Sequence, residues 1–453
     1  MAKPEKHILS KSTFMYGCQC PKRLWLHKHM PAVRDEIDEA QQAIFQKGTD
    51  VGMLARGLFP GGVDASPATT FEYQQSVANT AKYIAEGQTI IYEAAFQYEG
   101  LLCAVDILVK RRNKWYAYEV KSTTSVKDTY LLDAAFQYYV ITRAGLSLAD
   151  MYVTHLNNKY IRYGELDLKQ LFISESVISS AQDKQLFIAE KAETLILVAR
   201  QKNMPSIVVG NQCKVPYLCD FYGFCTKDII DEEKDYGEPY INNEAIHSFI
   251  NELEYPLYFI DFESWSTPVP EYDGQWPYRQ VCFQYSVHLQ SAPGSGVEYF
   301  AYLAENTGTP NLEFLENLLK VLGEKGTVLV YNISFEKTRL NELAREYPRY
   351  KMEIDAVVNR IVDLMVPFRK HYKLPEMKGS YSIKYVLPAL IPELSYQHLE
   401  IGNGGDASAA FYNLNNETDS ERVAETRLAL LEYCGLDTLA MVSILNRLRE
   451  LKR

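Results

Sequence analysis

Residues 258–265 read YFIDFESW. Asp261 and Glu263 alternate on an apolar run of strand character, so both carboxylates fall on one face, two residues apart. Two more acids follow in the same half of the chain. Glu336 stands in YNISFEK, residues 331–337, just after an apolar VLVY, and Asp437 stands in YCGLDTLAMV, residues 433–442, within a segment of helical period from Glu421 to Leu448.

Anions gathered in a partly buried cleft repel one another, and a fold tolerates them only where cations neutralise the charge. Magnesium or manganese supplies that neutralisation. Two such ions about 3.5–4 Å apart activate a water and stabilise the leaving oxygen of an in-line phosphoryl displacement, so phosphodiester hydrolysis is the chemistry to expect.

These three segments, in this order, resemble the tyrosine-bearing branch of the DEDD exonuclease superfamily, which is RNase H-like in fold. Asp261 and Glu263 match its first motif. Asn332, Phe335 and Glu336 match the second, with glutamate where aspartate is usual, and Tyr433 and Asp437 match the third. The resemblance implies that Asp261 bridges both metals while Glu263 and Asp437 complete the nucleophile-side ion. Glu336 would then reach the leaving-group ion, Asn332 would contact nucleic acid, and Tyr433 would orient the attacking water. Between the motifs, Lys370, Lys373, Lys378 and Lys384 are either phosphate contacts or a solvated basic face.

The first half carries a second constellation. Residues 89–142 read strand, strand, strand, helix: TIIYEAAFQY, LLCAVDILVKR, KWYAYEVKS and TYLLDAAFQYYVIT. Asp106 lies on the second strand, and Glu119 and Lys121 share one face of the third. A lysine beside two carboxylates suits a site where water must lose a proton and a phosphate needs positive charge. The pattern resembles the RecB-like branch of the PD-(D/E)xK nucleases. That likeness implies Asp106, Glu119 and Lys121 as the metal-and-base trio, Glu93 as an additional ligand, and Gln137 as a nucleic-acid contact. Ile141 stands where the branch has tyrosine, and Gly52 lies near the place of its frequent histidine.

Of eight cysteines, Cys213, Cys219 and Cys225 recur at equal intervals in GNQCKVPYLCDFYGFCTK, and Cys20 heads CPKRLWL. Close thiolates of this kind call for a metal, either an iron–sulfur cluster or structural zinc. The arrangement resembles the iron–sulfur subset of RecB-like nucleases, which implies a [4Fe–4S] cluster held by Cys20, Cys213, Cys219 and Cys225, with Zn2+ as the alternative. Such a staple closes a loop of nearly two hundred residues. Cys18 is an alternative to Cys20. Cys103, Cys282 and Cys434 sit in apolar patterns and read as small buried hydrophobes.

At 453 residues the chain is long enough for two cores. The charged stretch DEEKDYGEPY, residues 231–240, marks a boundary, giving a RecB-like domain over 1–235 and an RNase H-like domain over 236–453. The fold expected is α/β throughout: a restriction-endonuclease-like core with its cysteine-bound cluster, then a mixed sheet with flanking helices. Lys+Arg and Asp+Glu number 26 and 24 in residues 1–230, a net of +2, and 21 and 34 in the rest, a net of −13. That balance excludes sequence-independent coating of nucleic acid, which needs a strong basic excess. Contacts are then local: Lys11, Lys22, Arg23 and Lys28 near the first helix, or Lys110, Arg111, Arg112 and Lys114, which also read as a plain hairpin tip. No run of eighteen apolar residues and no apolar leader core occurs, so a cytoplasmic protein without a membrane partner is expected. The turn-rich stretch 401–420 reads as a mobile loop.

Taken whole, the chain resembles an uncharacterised bacterial family joining these two nuclease domains. The resemblance implies a metal-dependent nuclease acting on single-stranded or frayed ends of DNA or RNA, with a C-terminal 3′–5′ exonuclease and a second N-terminal centre. The alternative is a cluster-stapled nucleic-acid adaptor in which one or both centres are inactive.

Overall fold

The computed structural model describes residues 7–36, 39–69, 72–227, 236–305, 308–396 and 398–452. It is a mixed α/β structure in two compact units, one made of residues 1–232 and 267–278, the other of 233–266 and 279–453. The boundary expected at 235/236 adjoins residues 228–235, which lie outside the described ones. Segment 267–278, assigned by sequence to the second half, packs with the first. The Tyr278 hydroxyl donates to the Ser122 carbonyl at 2.6 Å, and Arg162 donates to the carbonyls of Pro270 and Glu271 at 3.0 and 2.9 Å.

The first unit is built on a seven-stranded sheet of β1 (Leu9–Ser10), β2 (Val63–Asp64), β3 (Ile90–Tyr98), β4 (Leu101–Arg111), β5 (Lys114–Lys121), β6 (Leu148–Leu156) and β7 (Phe172–Ser176). They run in the order β2-β3-β4-β5-β6-β7, with β1 paired to β4. The three strands read from the sequence form an antiparallel meander. Its second turn uses Arg112 and Asn113, both at positive φ, as a tight hairpin connection requires. Helix Asp128–Arg143 then returns the chain to β6, which lies parallel to β5. This helix and Gln185–Arg200 cover one face of the sheet, through Phe136, Val140, Ile188 and Leu195. Val51 and Ala55 from Glu39–Ala55 cover Tyr92, Ile107 and Tyr118 on the other.

In the second unit a two-stranded ribbon of β8 (Tyr240–Ile241) and β14 (Tyr372–Lys373) accompanies the main sheet. That main sheet contains β9 (Leu257–Trp265), β10 (Val281–Gln290), β11 (Val297–Leu303), β12 (Thr327–Val330) and β13 (Ile361–Asp363), in the order β11-β10-β9-β12-β13. Only β10 runs against the others. The alternation in YFIDFESW acts as expected of a strand covered on both faces. Tyr258, Ile260 and Phe262 pack with Tyr285 and Val287 against helices Asn311–Leu322, Ser334–Glu346 and Lys351–Val358. Phe259, Asp261 and Glu263 face the other layer.

That layer is led by helix Ser420–Arg449, opened by an Asp419 cap. By length and composition this helix could cross a membrane, yet 56% of its most apolar stretch is buried inside the structure. Polar side chains of β10 hold it to the sheet. Ser286 Oγ donates to the Cys434 carbonyl at 2.6 Å, and Gln284 Nε2 to the Leu430 carbonyl at 2.7 Å. The stretch 401–420, expected as a mobile loop, instead contains helix Gly404–Asn413. Asn403 caps it through the Asp406 amide, its DASAAF run favours helix, and Phe411 stacks on Phe283 with ring centroids 4.1 Å apart.

Candidate active site

In the second unit, Asp261 and Glu263 project from β9 and Asp437 from the last helix, with ligand oxygens all within 4.8 Å of one another. Glu263 and Asp437 are 7% and 8% exposed. Glu336, on the first turn of its helix, lies outside that trio. It is fully buried, one of its carboxylate oxygens has no hydrogen-bond partner, and its charge acts on both Asp261 and Glu263.

The four carboxyls carry the electrostatic signature of an anion cluster short of cations. Burial, then Asp437 and Glu336, push Glu263 up to about 8. Burial, with Asp363 and Asp437 adding, brings Glu336 to about 8. Burial and its three acidic neighbours hold Asp261 well above the carboxylate range. Asp437 rises only to about 6, because a hydrogen bond from Tyr396 and the Lys384 ammonium offset part of its burial.

Three residues that sequence reasoning gave no place in this centre support it. Tyr396 donates to Asp437 Oδ1 at 2.6 Å. Lys384, read only as a possible phosphate contact, holds its Nζ 5.7 and 5.8 Å from the ring centres of Tyr396 and Tyr433. Asp363 Oδ1 accepts from the amides of Asn332 and Met365 at 3.0 and 2.9 Å, pinning the Asn332 backbone at φ 74 immediately before the helix that carries Glu336. Pairing to β12 in register puts Asp363 there, a relation no local motif encodes. Tyr433 is buried, one helical turn before Asp437. Cys434 is also buried as expected, with its sulfur 3.6 Å from Asp261 Oδ2.

The centre in the first unit is organised differently. Asp106 Oδ2 accepts from the Val120 amide at 2.5 Å. Glu119, 1% exposed, accepts Lys11 Nζ and Lys121 Nζ on Oε1, each at 2.7 Å, and Gln137 Nε2 on Oε2 at 2.8 Å. Lys121 also reaches Asp133 Oδ2 at 2.6 Å. Burial opposes ionisation of Glu119, but the two ammoniums outweigh it and hold the carboxyl at about 2. Asp106, buried beside Glu119, rises to about 8. Glu93 pairs with Arg56 at 3.5 Å. Gln137, expected to meet nucleic acid, is wholly buried and spans Glu119 and Asp133, and Arg23 is buried in an ion pair with Asp220 at 2.7 Å. Lys11 and Asp133 are the members of this centre that the motif left out.

Cys20, Cys213, Cys219 and Cys225 line one chamber together with Lys22, Arg23 and Phe221. All four are free thiols, and the Cys219 amide donates to the Cys213 carbonyl at 2.8 Å. Cys18 lines a separate groove, so Cys20 is the one placed with the other three. Burial pushes the Cys219 thiol up to about 11, which favours the protonated thiol over the thiolate.

The model of a domain of unknown function, DUF2779, matches residues 258–382, from β9 through Glu336 and Asp363 but short of Tyr433 and Asp437. An uncharacterized protein of Ureaplasma parvum serovar 3 is 28% identical over 257 residues, covering 48% of this chain and 36% of its own length. A second uncharacterized protein, from Mycoplasma pneumoniae, is 30% identical over 214 residues, covering 42% of this chain and 32% of its own. The chain thus spans about a third of the length of these curated relatives.

Proposed function

We propose that this protein is a metal-dependent nuclease whose second unit is an RNase H-like 3′–5′ exonuclease acting on single-stranded or frayed ends of DNA or RNA in the cytoplasm. The observation that carries the reading is the trio Asp261, Glu263 and Asp437 within 4.8 Å, with the under-satisfied Glu336 beside it. Clustered buried carboxyls with raised pKa values destabilise a fold unless a cation is their purpose, so the residues fit Mg2+ or Mn2+. The sheet order β11-β10-β9-β12-β13, with β10 alone reversed, supports the same fold. Bound magnesium or manganese would supply charge neutralisation and polarise the phosphodiester oxygens.

The chain's own groups then have distinct tasks. Burial, with Asp437 and Glu263 adding, holds the Tyr433 phenol well above its ordinary range, so it stays protonated at neutral pH and orients water by hydrogen bonding rather than as a base. Tyr396 fixes the rotamer of Asp437. Lys384 places positive charge beside the phosphate path. Asn332, fixed by Asp363, presents its side chain at the start of the Glu336 helix.

For the first unit we propose a RecB-like scaffold with a [4Fe–4S] staple on Cys20, Cys213, Cys219 and Cys225. The support is the chamber that these four cysteines line together, and Zn2+ on the same four is the alternative. Whether this unit also cuts depends on Asp106, Glu119 and Lys121. The ion pairing of Glu119 by two lysines favours the second reading, in which the first centre is inactive as it stands.

The test offers end-labelled single and double strands with magnesium or manganese to wild type, Asp261→Ala and Lys121→Ala. Loss of stepwise 3′ shortening in Asp261→Ala alone is expected. Equal degradation by wild type and Asp261→Ala, or none by either, rejects the proposal.

A further inference from the structure

The two carboxylate centres balance their charge in opposite ways. In the second unit four acids gather with Lys384 as the nearby cation. In the first unit Glu119 Oε1 already accepts two ammoniums at 2.7 Å and Oε2 an amide at 2.8 Å, while Asp106 Oδ2 is taken by the Val120 amide. A divalent ion on Glu119 would therefore meet two ammonium charges already in contact with the same carboxylate.

Helix formation alone does not account for Lys11 at this position. It is the first residue of helix Lys11–Gln19, where the helix dipole disfavours positive charge. What holds it is Glu119, 108 residues away in sequence. The Lys11 side chain is 24% exposed and lines a groove with Ser12, Tyr16, Lys121, Tyr130 and Tyr217, so the ammonium has a route away from Glu119 into solvent. Gln137, whose amide nitrogen bridges Glu119 and Asp133, keeps a buried side-chain oxygen without a partner beside them.

We propose that Lys11 is a built-in competitor for a divalent cation at the first unit's centre: its ammonium occupies Glu119 in the metal-free protein and must swing into the groove before Glu119 and Asp106 can share an ion. Two positive charges close to one carboxylate leave little attraction for a third cation. Removing one restores it. The inference rests on the reading of Asp106 and Glu119 as cation ligands.

The test uses the full chain carrying Asp261→Asn and Asp437→Asn to silence the other centre, so its failure leaves the exonuclease reading untouched. Chelator-treated protein is titrated with Mn2+, and free ion is followed by electron paramagnetic resonance. Adding Lys11→Gln is expected to tighten Mn2+ binding roughly tenfold or more, and a further Glu119→Gln to abolish the gain. Lys11→Met, which keeps the aliphatic stem, serves if the glutamine variant fails to fold by circular dichroism. A folded Lys11 variant that binds Mn2+ no more tightly than its parent overturns the proposal. A second measurement needs no change at Lys11: in the parent, acetylation of Lys11 read by peptide mass spectrometry should quicken severalfold at Mn2+ concentrations that fill the first centre. An unchanged rate there also overturns it.

Discussion

Replacing Glu263 by glutamine should make the metal-free protein more stable while destroying its activity. The folded state holds the Glu263 carboxyl at about 8 against an ordinary 4.5. A raised acid pKa means that the folded chain keeps a proton which the unfolded chain gives up as pH rises. The carboxyl is therefore tolerated below about 4.5, and stability drains away up to about 8, at roughly 1.4 kcal/mol per pH unit. Over that window the loss is about 5 kcal/mol. Glu263→Gln keeps the shape and removes the charge. Calorimetry of chelator-treated wild type and variant should give transitions that nearly coincide at pH 4.5. At pH 8 the variant should unfold about 10–20 °C higher, since ~1 kcal/mol moves the midpoint of a unit this size by about 2–4 °C. Saturating Mn2+ should lift wild type and leave the variant nearly unmoved. A metal-free variant melting at or below wild type at pH 8 would show that the anion cluster carries no such penalty, and the argument for a cation site would fail with it.

Three further outcomes follow from the same geometry. Tyr396→Phe removes the 2.6 Å bond to Asp437; Mn2+ affinity by calorimetry should fall roughly tenfold or more, with stability changed by only about 1 kcal/mol. Asp437→Asn should reduce hydrolysis of a labelled strand by about a thousandfold or more while circular dichroism stays native, because it removes one of the trio's ligands but no apolar packing. Serine at Cys20, Cys213, Cys219 or Cys225 should abolish absorption near ~400 nm in anaerobically purified protein and lower the first unit's melting transition, with 3′ shortening by the second unit retained.

The elements of both sheets were legible where alternation was strong. YFIDFESW and LLCAVDILVKR have few competing conformations, and each became a central strand. The acids were legible for the same reason, since a charge repeated every second residue on an apolar strand has one face to occupy. Partners fixed only by tertiary register were hidden. Tyr396 and Lys11 reach their carboxylates across 41 and 108 residues, and Asp363 accepts the Asn332 amide across 31; no local spacing announces such pairs. The 404–413 helix was missed because the glycines and asparagines before it signal a turn more loudly than a short alanine-rich segment signals a helix. The 267–278 segment was assigned to the wrong unit because composition along a chain says nothing of which core an excursion joins.

Lys384 and Lys11 show why the same ingredients make different centres. Each is a lysine near clustered carboxylates, but Lys384 Nζ sits over the Tyr396 and Tyr433 rings and donates to the Gly402 carbonyl, whereas Lys11 Nζ lies on Glu119 itself. A cation held by aromatic faces and a carbonyl perturbs the nearby acids without taking their ligand oxygens. It moderates Asp437 and Glu263 while leaving them open to an ion. A cation in direct contact puts its charge where an ion would bind and repels it. The position of one ammonium, rather than the number of acids, therefore separates a centre whose acids lack a contacting counter-charge from one that already has it. Exchanging the arrangement, by removing Lys11 in one unit or by bringing a lysine into contact with Glu263 in the other, should exchange the metal affinities accordingly.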